Sequence, residues 1–465
     1  MIAFGVNKKD VALLMADSGH PIRYGELDEW VEANRQLLRG LPRPALAFQF
    51  APNSTGAVAA YLACLAEGVP LGLGEPAITP RTRVIEAYLP SALILPEQET
   101  APEQYEIIGG MSGGELRLWR RRSGAYHVTP HRGLALLLAT SGSTGDAKFV
   151  RLSLANLRAN ARSIATYLRL GPGEIAVQSL PLHYSYGLSV LNSHLLAGAA
   201  VALTGHSFIR PEFWRVVDDC SCTSFAGVPY MYETLHRLRL QPSRHSALRT
   251  MTQAGGHLRV DLVRHFNDSA KENDARFFVM YGQTEATARI AYVPPDRLAE
   301  KIGTIGVAIP GGELWLEPVD GDASVQQLHY RGANVMLGYA AGPSDLARGD
   351  DQRGVLATGD LAERDVDGFF RLTGRLARFA KLYGKRINLA GVEAEVEKVF
   401  SIRTAALDGG DRLRVLLEGS DEPVAAKVRA YLADWLAVPP LALNVVLITQ
   451  IPLTASGKKD YKALA

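Results

Sequence analysis

Residues 136–153, LLLATSGSTGDAKFVRLS, place four apolar residues before a run of small, hydroxyl-bearing and glycine residues that closes on a lysine. Such a loop at the end of a strand offers backbone N–H groups, hydroxyls and a cation, which together suit phosphate oxygens. It lacks the Walker pattern, because Ala147 and Phe149 flank Lys148 where Gly and Ser or Thr are required. Taken alone, the segment fits a phosphate-binding loop and an ordinary surface turn equally well. The candidate phosphate ligands are Thr140, Ser141, Gly142, Ser143, Thr144, Gly145 and Lys148.

Four further stretches follow in a fixed order: YGQTEAT, LATGDL, LTGRLARFAKLYGKRI and IPLTASGK. Together with TSGSTGDAK, they make the sequence resemble the adenylate-forming superfamily of acyl- and aryl-CoA synthetases, peptide-synthetase adenylation domains and luciferases. The resemblance extends from the helix-like YGELDEWVEANR to the final GKKDY. It implies that ATP and Mg²⁺ convert a carboxylic acid to an acyl-adenylate, which a thiol then consumes.

The YGQTE stretch follows the apolar run RFFVM, so its side chains are expected at the carboxyl edge of a sheet, where α/β folds bind ligands. By resemblance, Tyr281 stacks on adenine, Thr284 binds the α-phosphate and Glu285 holds Mg²⁺. A hard dication favours carboxylate oxygen, so chemistry also points to Glu285.

The resemblance assigns further nucleotide contacts. Asp360 matches an aspartate that accepts hydrogen bonds from both ribose hydroxyls, and a carboxylate suits a vicinal diol because each oxygen takes one hydrogen bond. Arg375 matches an arginine near the ribose and phosphate, where its fork of donors is useful. Gly255 and Gly256 match a segment whose backbone lies along adenine and the acyl pocket, and absent side chains permit that approach.

Lys458 matches the mobile catalytic lysine that bridges the substrate carboxylate and the α-phosphate. When a carboxylate attacks a phosphate, anion meets anion, and a cation between them relieves the repulsion as charge develops. Lys459 and Lys462 are rival cations, and lysines near a chain end are usually solvated. The IPLTASG frame before Lys458 favours that residue.

A second step needs the smaller domain to rotate, so that a different face admits the thiol. The resemblance places the hinge at Ala377, where relatives carry Asp or Lys, and it offers Lys381 and Gly384 as second-step candidates. Surface solvation is the alternative for Lys381, and a simple turn is the alternative for Gly384. Ala147 replaces a proline common in relatives, and Gly391 replaces a glutamate, which weakens the start of the following helix.

The acid pocket is expected to be aromatic and apolar, which suits an aryl acid or a medium acyl chain. No acidic residue lies between Leu180 and Ser189, so an α-amino acid would bury its ammonium without a counter-charge. Each predicted wall residue fits the core equally well. The predicted walls are Tyr184, Tyr186, Phe225, Ala226, Gly227, Ala254, Met280 and Ala288.

Positioning these residues requires an α/β fold. Helix and strand patterns alternate from about Tyr24 to Leu73, and apolar strands with helices between them follow the phosphate loop. Residues 90–123 are expected to form a poorly constrained connection. After Ile302, short strands punctuated by Gly and Asp indicate a meander or small barrel. We expect a large domain over residues 1–375 and a mobile α+β domain over residues 376–465.

Composition narrows the class of protein. The 465 residues are 47% hydrophobic, with a net charge of +2 and no long run of one sign, so nucleic acid is not an expected partner. Three cysteines are too few for a disulfide framework, which favours a reducing compartment. Neither a signal peptide nor an apolar run long enough for a membrane span is evident. A cytoplasmic protein is expected.

The leading hypothesis is an ATP-dependent carboxylic acid ligase with CoA as the acyl acceptor. A carrier protein's pantetheine arm, or an amine, would use the same first step. A non-catalytic nucleotide-binding scaffold is the alternative from another class. Intact Lys458, Glu285 and phosphate-loop residues speak against that scaffold.

Overall fold

The structure, a computed structural model, describes residues 7–15, 20–139, 148–319, 322–376, 378–382, 385–436, 438–454, 459–461 and 463–464. None of the helices in these ranges has the length and apolar character that crossing a membrane requires. The helices are α1 (Tyr24–Arg39), α2 (Thr55–Glu67), α3 (Ile78–Tyr88), α4 (Leu154–Leu168), α5 (Ser185–Leu196), α6 (Pro211–Asp219), α7 (Pro229–Arg237), α8 (Val260–Glu272), α9 (Leu389–Phe400) and α10 (Glu422–Leu436).

The strands of the described residues fall into five sheets. In chain order they are β1 (Val11–Met15), β2 (Pro21–Arg23), β3 (Ala47–Gln49), β4 (Leu71–Leu73), β5 (Ala92–Pro96), β6 (Tyr105–Met111), β7 (Leu116–Arg121), β8 (Leu136–Ala139), β9 (Phe149–Leu152), β10 (Ile175–Gln178), β11 (Ala200–Leu203), β12 (Ser224–Gly227), β13 (Thr250–Gln253), β14 (Arg276–Tyr281), β15 (Ala291–Tyr292), β16 (Val307–Ala308), β17 (Gly312–Val319), β18 (Asp322–Gly332), β19 (Gly338–Ala340), β20 (Val355–Arg364), β21 (Phe370–Arg375), β22 (Phe379–Leu382), β23 (Lys385–Asn388), β24 (Thr404–Asp408), β25 (Leu413–Glu418) and β26 (Leu443–Ile448).

Two large mixed sheets dominate the fold. The nine-stranded sheet has the order β16-β15-β14-β13-β12-β10-β11-β1-β2, with parallel pairing from β14 to β1 and antiparallel strands at both edges. The eight-stranded sheet has the order β19-β9-β8-β4-β3-β5-β7-β6 and is parallel from β8 to β5. The expected α/β architecture of layered mixed sheets is confirmed.

Helix α2 lies inside the core that both sheets share. Its residues are buried from Thr55 to Leu65, and apolar residues on all sides are typical of a helix enclosed by other elements. The same core contains Leu13 from the nine-stranded sheet and Leu136 from the eight-stranded sheet. Ser54 accepts a hydrogen bond from the Ala57 backbone N–H and thereby caps the helix. Because one core joins both sheets, their edges are held in a fixed relation.

A smaller antiparallel sheet, in the order β17-β18-β20-β21, follows the large sheets. The meander interpretation describes it, because β17 pairs with β18, β18 with β20 and β20 with β21, all antiparallel. Strand β19, between β18 and β20 in the chain, pairs instead with β9 of the eight-stranded sheet. This sheet supplies Asp360 and Arg375 to the site.

The last part of the chain has its own hydrophobic core. Strands β24, β25 and β26 form a three-stranded sheet, and α9 and α10 pack on it around residues such as Val392, Val415 and Val428. Asn388 accepts hydrogen bonds from the backbone N–H groups of Ala390 and Gly391, so α9 begins at a proper cap despite Gly391. The predicted domain boundary after Arg375 stays a prediction.

One expectation about the fold is wrong. Residues 90–123 do not form a loose connection, because they contain β5, β6 and β7, which extend the eight-stranded sheet. Glycines interrupt the apolar–polar alternation that would indicate strands. Gly109 follows a register shift, and Gly113 and Gly114 have φ values of +95° and +151°. The helix–strand–helix–strand pattern predicted from Tyr24 to Leu73 is confirmed.

Candidate nucleotide and acid site

Three parallel strands bring the motif residues to one edge of the nine-stranded sheet. Phe225 of β12 pairs with Met251 of β13, and Met251 pairs with Phe277 of β14, so the strands end side by side. All three residues are buried to at least 99%. Burying each such side chain stabilises the fold by roughly 1.5–3 kcal/mol, which fixes the sheet beneath the site. Gly255, Gly256 and the segment from Tyr281 to Glu285 therefore emerge at a common edge.

Asp360 is the centre of the best-defined cluster at this edge. It is 2% exposed and lies in β20, opposite Arg375 of β21. The Arg375 Nε donates to Asp360 Oδ1 at 2.6 Å, and the Tyr281 hydroxyl donates to Oδ2. Burial and the charge of Asp360 raise the pKa of Tyr281 well above its ordinary value, so Tyr281 stays a protonated donor. The structure thus brings together three residues that are distant in sequence.

The geometry of this cluster fits a ribose diol. A carboxylate has about four lone-pair sites, so each oxygen of Asp360 can accept one more hydrogen bond beside its protein partner. The Arg375 side chain is 56% exposed and leaves the rest of its donor fork available. Its pKa is raised, mainly by the Asp360 charge, so the cation persists at all physiological pH values.

Glu285 lies in a second cluster, which sequence reasoning found only in part. The Tyr339 hydroxyl donates to Glu285 Oε1 at 2.7 Å, and Lys148 Nζ lies 3.5 Å from the centroid of the Tyr339 ring. Tyr339 belongs to β19 of the eight-stranded sheet, where it pairs with Val150. It therefore connects the metal candidate to the strand that follows the phosphate loop. Tyr339 sits in no recognised motif, so the sequence carried no signal for it.

The donor set around Glu285 suits Mg²⁺ bound together with a nucleotide. The described residues contain no group of three or more His, Cys, Asp or Glu side chains arranged for a metal. Mg²⁺ commonly takes one or two carboxylates and completes its octahedron with phosphate oxygens and water. A single carboxylate is sufficient for that mode when nucleotide phosphates supply the other ligands.

Gly255 occupies a position that only glycine allows, and Thr284 contacts the start of α5. Gly255 has φ +92°, and a Cβ at this position would lie 2.5 Å from the Tyr184 hydroxyl, so both backbone and space require glycine. Thr284 Oγ1 lies 3.2 Å from Ser185 Oγ, at the start of α5. Gly256 is exposed, and its carbonyl accepts a hydrogen bond from Gln253 at 2.9 Å.

A small cavity of about 20 Å³ lies between α4, α5 and the nine-stranded sheet. Four of the eight predicted wall residues line it: Tyr186, Phe225, Ala226 and Met280. The other four do not line it. Ala254 and Ala288 are buried in the core, Tyr184 packs against Gly255, and Gly227 lies against Tyr232.

Sequence reasoning missed much of the cavity lining. A face of α5 lines the cavity with helical spacing, and this periodicity could have been read from the sequence. Arg289 is buried to 97%, and this could not have been predicted from the sequence, because no pattern marks a charged residue as buried. The missed residues are Ile164, Tyr167, Leu168, Ala176, Ser189, Val190, Ser193, His194, Ser224, Thr252 and Arg289.

Lys459 forms ion pairs and a hydrogen bond within the C-terminal part of the chain. Its Nζ lies 3.2 Å from Glu393 Oε2 and 2.8 Å from Glu397 Oε1, and it also donates to the Thr404 carbonyl. Desolvation lowers the pKa of His257, which directly follows Gly256; the charge of Glu397 opposes this shift and the charge of Lys459 adds to it. Among the rivals of Lys458, Lys459 is therefore already occupied.

Several predicted site residues fall outside the described residues. The side chain of Lys381 is among them, although its backbone lies in β22. The others are Thr140, Ser141, Gly142, Ser143, Thr144, Gly145, Ala377, Gly384, Lys458 and Lys462.

A buried carboxylate held by an arginine and a tyrosine, with a second carboxylate and a glycine turn at the same edge of the sheet, suits a nucleotide-binding α/β protein. Residues 5–340 match the family model described as AMP-binding enzyme. This match covers more than half of the chain, which therefore belongs to the AMP-binding enzyme family.

Relatives agree with this assignment. Feruloyl-CoA synthase of Amycolatopsis sp is 29% identical over 390 residues, which are 77% of this chain and 76% of the relative. Phenyloxazoline synthase MbtB of Mycolicibacterium paratuberculosis is 27% identical over 71% of this chain, and the probable CoA ligase CCL9 of Humulus lupulus is 26% identical over 71%. The chain spans only 30% of MbtB and 66% of CCL9.

Solved structures share the fold over nearly the whole chain. The o-succinylbenzoate coenzyme A synthetase MenE of Bacillus subtilis in complex with AMP has a TM-score of 0.77 and 20% identity, covering 97% of this chain and 94% of its own. ATP-bound MatB of Rhodopseudomonas palustris has a TM-score of 0.79 and 20% identity, covering 98% and 95%. At this identity the likeness concerns the fold.

Proposed function

We propose that this chain is an ATP-dependent carboxylic acid ligase that forms an acyl- or aryl-adenylate and then transfers the acyl group to a thiol, with CoA as the preferred acceptor. The observation that carries the proposal is Asp360, buried and held by Arg375 and Tyr281 beside Glu285. The family match supports nucleotide binding, and the relatives named as CoA ligase and feruloyl-CoA synthase support the thiol.

In the first step, a carboxylate oxygen of the acid attacks the α-phosphorus of ATP. The bond to the bridging oxygen breaks, and pyrophosphate leaves with its electron pair. Mg²⁺, when bound, supplies charge neutralisation on the phosphates. Thr284 donates a hydrogen bond to the α-phosphate, Asp360 orients the ribose, and Lys458 places a cation between the two anions. The phosphate loop from Thr140 to Lys148 provides N–H groups and hydroxyls.

In the second step, the thiol sulfur attacks the acyl carbon, the bond from that carbon to the phosphate oxygen breaks, and AMP leaves with its electron pair while the thiol proton is released to water. We assign Ala377 as the hinge and Lys381 and Gly384 to the face that would meet the thiol. A carrier-protein pantetheine is the second candidate acceptor, and the peptide-synthase relatives favour it. Consumption of ATP and CoA is consistent with a cytoplasmic location.

The proposed acid is an aryl or short to medium acyl acid rather than an α-amino acid. The cavity walls Tyr186, Phe225, Ala226 and Met280 are aromatic or apolar, and among the residues that the structure describes no carboxylate lines the cavity to pair with an ammonium. The names of two relatives refer to feruloyl and phenyloxazoline groups, which supports an aromatic acid.

Pyrophosphate release across a panel of aryl, aliphatic and amino acids, with and without CoA, tests the proposal. We expect release that depends on acid, ATP and Mg²⁺, and a thioester only when CoA is present. Absence of acid-dependent release for every member of the panel would overturn adenylation. Release without any thioester would instead redirect the search to a carrier protein or an amine.

The role of Lys458 has its own test. Lys458→Ala should slow adenylation by at least about 100-fold, since a removed transition-state charge partner typically costs this much. Thioester formation from a preformed adenylate should stay within about twofold, because the cation is not needed there. Lys462→Ala serves as the control for loss of a nearby lysine. Equal losses in both half-reactions would contradict the assigned role.

A further inference from the structure

Arg289 is a charged residue inside the acid cavity. It is 3% exposed, lines the cavity, and its guanidinium carbon lies 3.8 Å from the centroid of the Tyr186 ring. A buried guanidinium normally has a carboxylate partner, because removing a charge from water is costly. Within the described part of the chain, no aspartate or glutamate pairs with Arg289, and no acidic residue lines the cavity.

The donors of Arg289 are only partly used by the protein. A guanidinium has five N–H donors. Nε has no hydrogen-bond partner among the described residues, and Nη1 makes only a long contact of 3.4 Å with the Ala288 carbonyl. The guanidinium also hydrogen-bonds to the tyrosines Tyr167 and Tyr186. Burial raises the pKa values of both tyrosines, and the charge and hydrogen bonds of Arg289 oppose that rise. The donors that remain point to a missing acceptor.

The other hydroxyl groups that line the cavity already donate hydrogen bonds to protein atoms. Ser189 donates to the Tyr186 carbonyl at 2.7 Å, and Ser193 donates to the Val190 carbonyl at 3.1 Å. The hydroxyls of Tyr186 and Thr252 satisfy each other and the Thr252 carbonyl. The Tyr167 hydroxyl donates to Met280 sulfur at 2.9 Å.

Both ring nitrogens of His194 also have hydrogen-bond partners within the protein. Its Nδ1 lies 2.9 Å from the Val190 carbonyl, which can only accept, so Nδ1 carries the proton. The Ser224 hydroxyl, 3.3 Å from Nε2, then donates to that nitrogen. Burial lowers the pKa of His194 to about 4, so the ring is neutral and adds no second cation. Glu174, whose charge reaches this histidine, is occupied by Thr223 at 2.5 Å and Arg249 at 3.4 Å.

From this inventory we infer that the substrate carries a second carboxylate, which Arg289 binds at the far end of the acid cavity. The inference rests on the proposed function and narrows its substrate class to short aryl or aliphatic dicarboxylic acids. Arg289 acts as a specificity residue that holds the non-reacting end while the other carboxylate reaches the α-phosphate.

The position of Arg289 agrees with a short acid. Tyr186, beneath the guanidinium, directly follows Ser185, and Ser185 contacts Thr284. The reacting and non-reacting ends of the substrate are thus held by neighbouring parts of α5. A site built to bind a polar group discriminates strongly against analogues without it, because its own buried donors would stay unpaired.

The test compares wild-type protein with Arg289→Leu, Arg289→Lys and Arg276→Leu. Arg276 lies on the same strand, β14, donates to Leu168 and Thr250, and does not line the cavity. Pyrophosphate release is measured for short aliphatic and aromatic dicarboxylic acids, each beside its monoamide and its unsubstituted monoacid. Melting temperatures establish that each variant is folded.

We expect wild-type kcat/KM to favour the dicarboxylic acid over its monoacid by about 10- to 100-fold, as a charge-assisted hydrogen bond would give. Arg289→Leu should abolish or reverse this preference, Arg289→Lys should keep part of it, and Arg276→Leu should leave it unchanged. Calorimetric binding of the dicarboxylic acid in the presence of AMP should be lost in Arg289→Leu, which provides a readout independent of turnover.

Three outcomes would overturn the inference. A preference of the wild type for monoacids or monoamides would show that its substrate has no second carboxylate. An Arg289→Leu variant that is destabilised with unchanged selectivity assigns the arginine to packing on Tyr186. No acid-dependent release from any substrate, with no calorimetric binding, defeats the proposed function itself, whereas activity confined to monoacids defeats only this inference.

Discussion

At the scale of single residues, Asp360 is the sharpest test of nucleotide binding. Asp360→Asn keeps the shape but loses the charge and one acceptor, so one of the two donors, Arg375 or Tyr281, loses its partner. We expect KM for ATP to rise by about 10- to 100-fold, because hydrogen bonds to charged groups contribute about 1.5–3 kcal/mol. KM for the acid should change little. Asp367→Asn, which removes an exposed ion-pair partner of Lys301, is the control.

Tyr339 gives a separate prediction about the metal. Tyr339→Phe removes the hydroxyl that orients the Glu285 carboxylate and keeps the ring under Lys148. The Mg²⁺ concentration for half-maximal activity should rise by about tenfold, the lower end of losses seen when groups behind a metal ligand are removed. Tyr431→Phe is the matched control, because Tyr431 donates to Glu395 at 2.6 Å away from the site. An equal change in both variants would refute the role of Tyr339.

The residues that sequence revealed and those it hid differ in a physical way. Tyr281, Glu285 and Asp360 stand in motifs whose order is informative, and the structure brings Tyr281 and Asp360 into contact. Tyr339 meets Glu285 across 54 residues, and Arg289 becomes buried only through packing of α4, α5 and β14. Such contacts depend on tertiary structure, and no local pattern encodes them.

At the scale of elements, periodicity predicted α1, β3, α2 and β4 well because their apolar spacing is regular. It failed at β5, β6 and β7, where glycines and a register shift break the alternation. Strands of this kind are specified by their neighbours in the sheet, and their propensity depends on context. The strand–motif order also predicted that Tyr281 lies at the carboxyl end of its strand, and the structure has it as the last residue of β14.

Helix α9 contains the hub of the C-terminal core, Glu393. It is 6% exposed and accepts hydrogen bonds from Arg378 at 2.8 Å, the Ala406 backbone at 2.7 Å, Lys459 at 3.2 Å and Tyr461 at 2.9 Å. Burial opposes its ionisation, yet the charges of Lys459 and Arg378 and these hydrogen bonds lower its pKa below 4.5. Glu393 thus ties the segment containing Lys459 to the helix.

Glu393→Gln should destabilise this core by about 3 kcal/mol, because it leaves buried cations unpaired. Since the folded pKa is depressed, the stabilisation from Glu393 is present at neutral pH and is lost as pH falls below 4.5 through the folded pKa. Thermal melts against pH should therefore converge for wild type and variant under acid conditions. Glu395→Gln, whose carboxylate lies two residues along α9, should cost less than about 1 kcal/mol. Parallel melting curves at every pH would contradict this account.

At the scale of the whole molecule, the chain combines one large shared core with a separate C-terminal core. One of the described contacts between them is an ion pair, in which Arg403 Nη1 lies 3.7 Å from Glu233 of α7. The same nitrogen lies 3.8 Å from Glu418 of the C-terminal part. Burial raises the pKa of Glu233, and the Arg403 charge opposes that rise. An ion pair that joins two cores can stabilise one arrangement of the C-terminal part relative to another.

Under the proposed function, adenylation and acyl transfer use different arrangements of the C-terminal part, so weakening this pair should act unequally on the two steps. Arg403→Ala should slow adenylation by about twofold to fivefold, as a partly exposed ion pair contributes about 1 kcal/mol or less. Transfer to CoA from a preformed adenylate should not slow, because the arrangement for that step does not depend on the pair. The double variant Arg403→Ala with Glu233→Gln should lose no more than Arg403→Ala alone if the two residues act through each other. Additive losses, or equal slowing of both half-reactions, would mean that Arg403 merely supports the fold and that the pair has no part in choosing between arrangements.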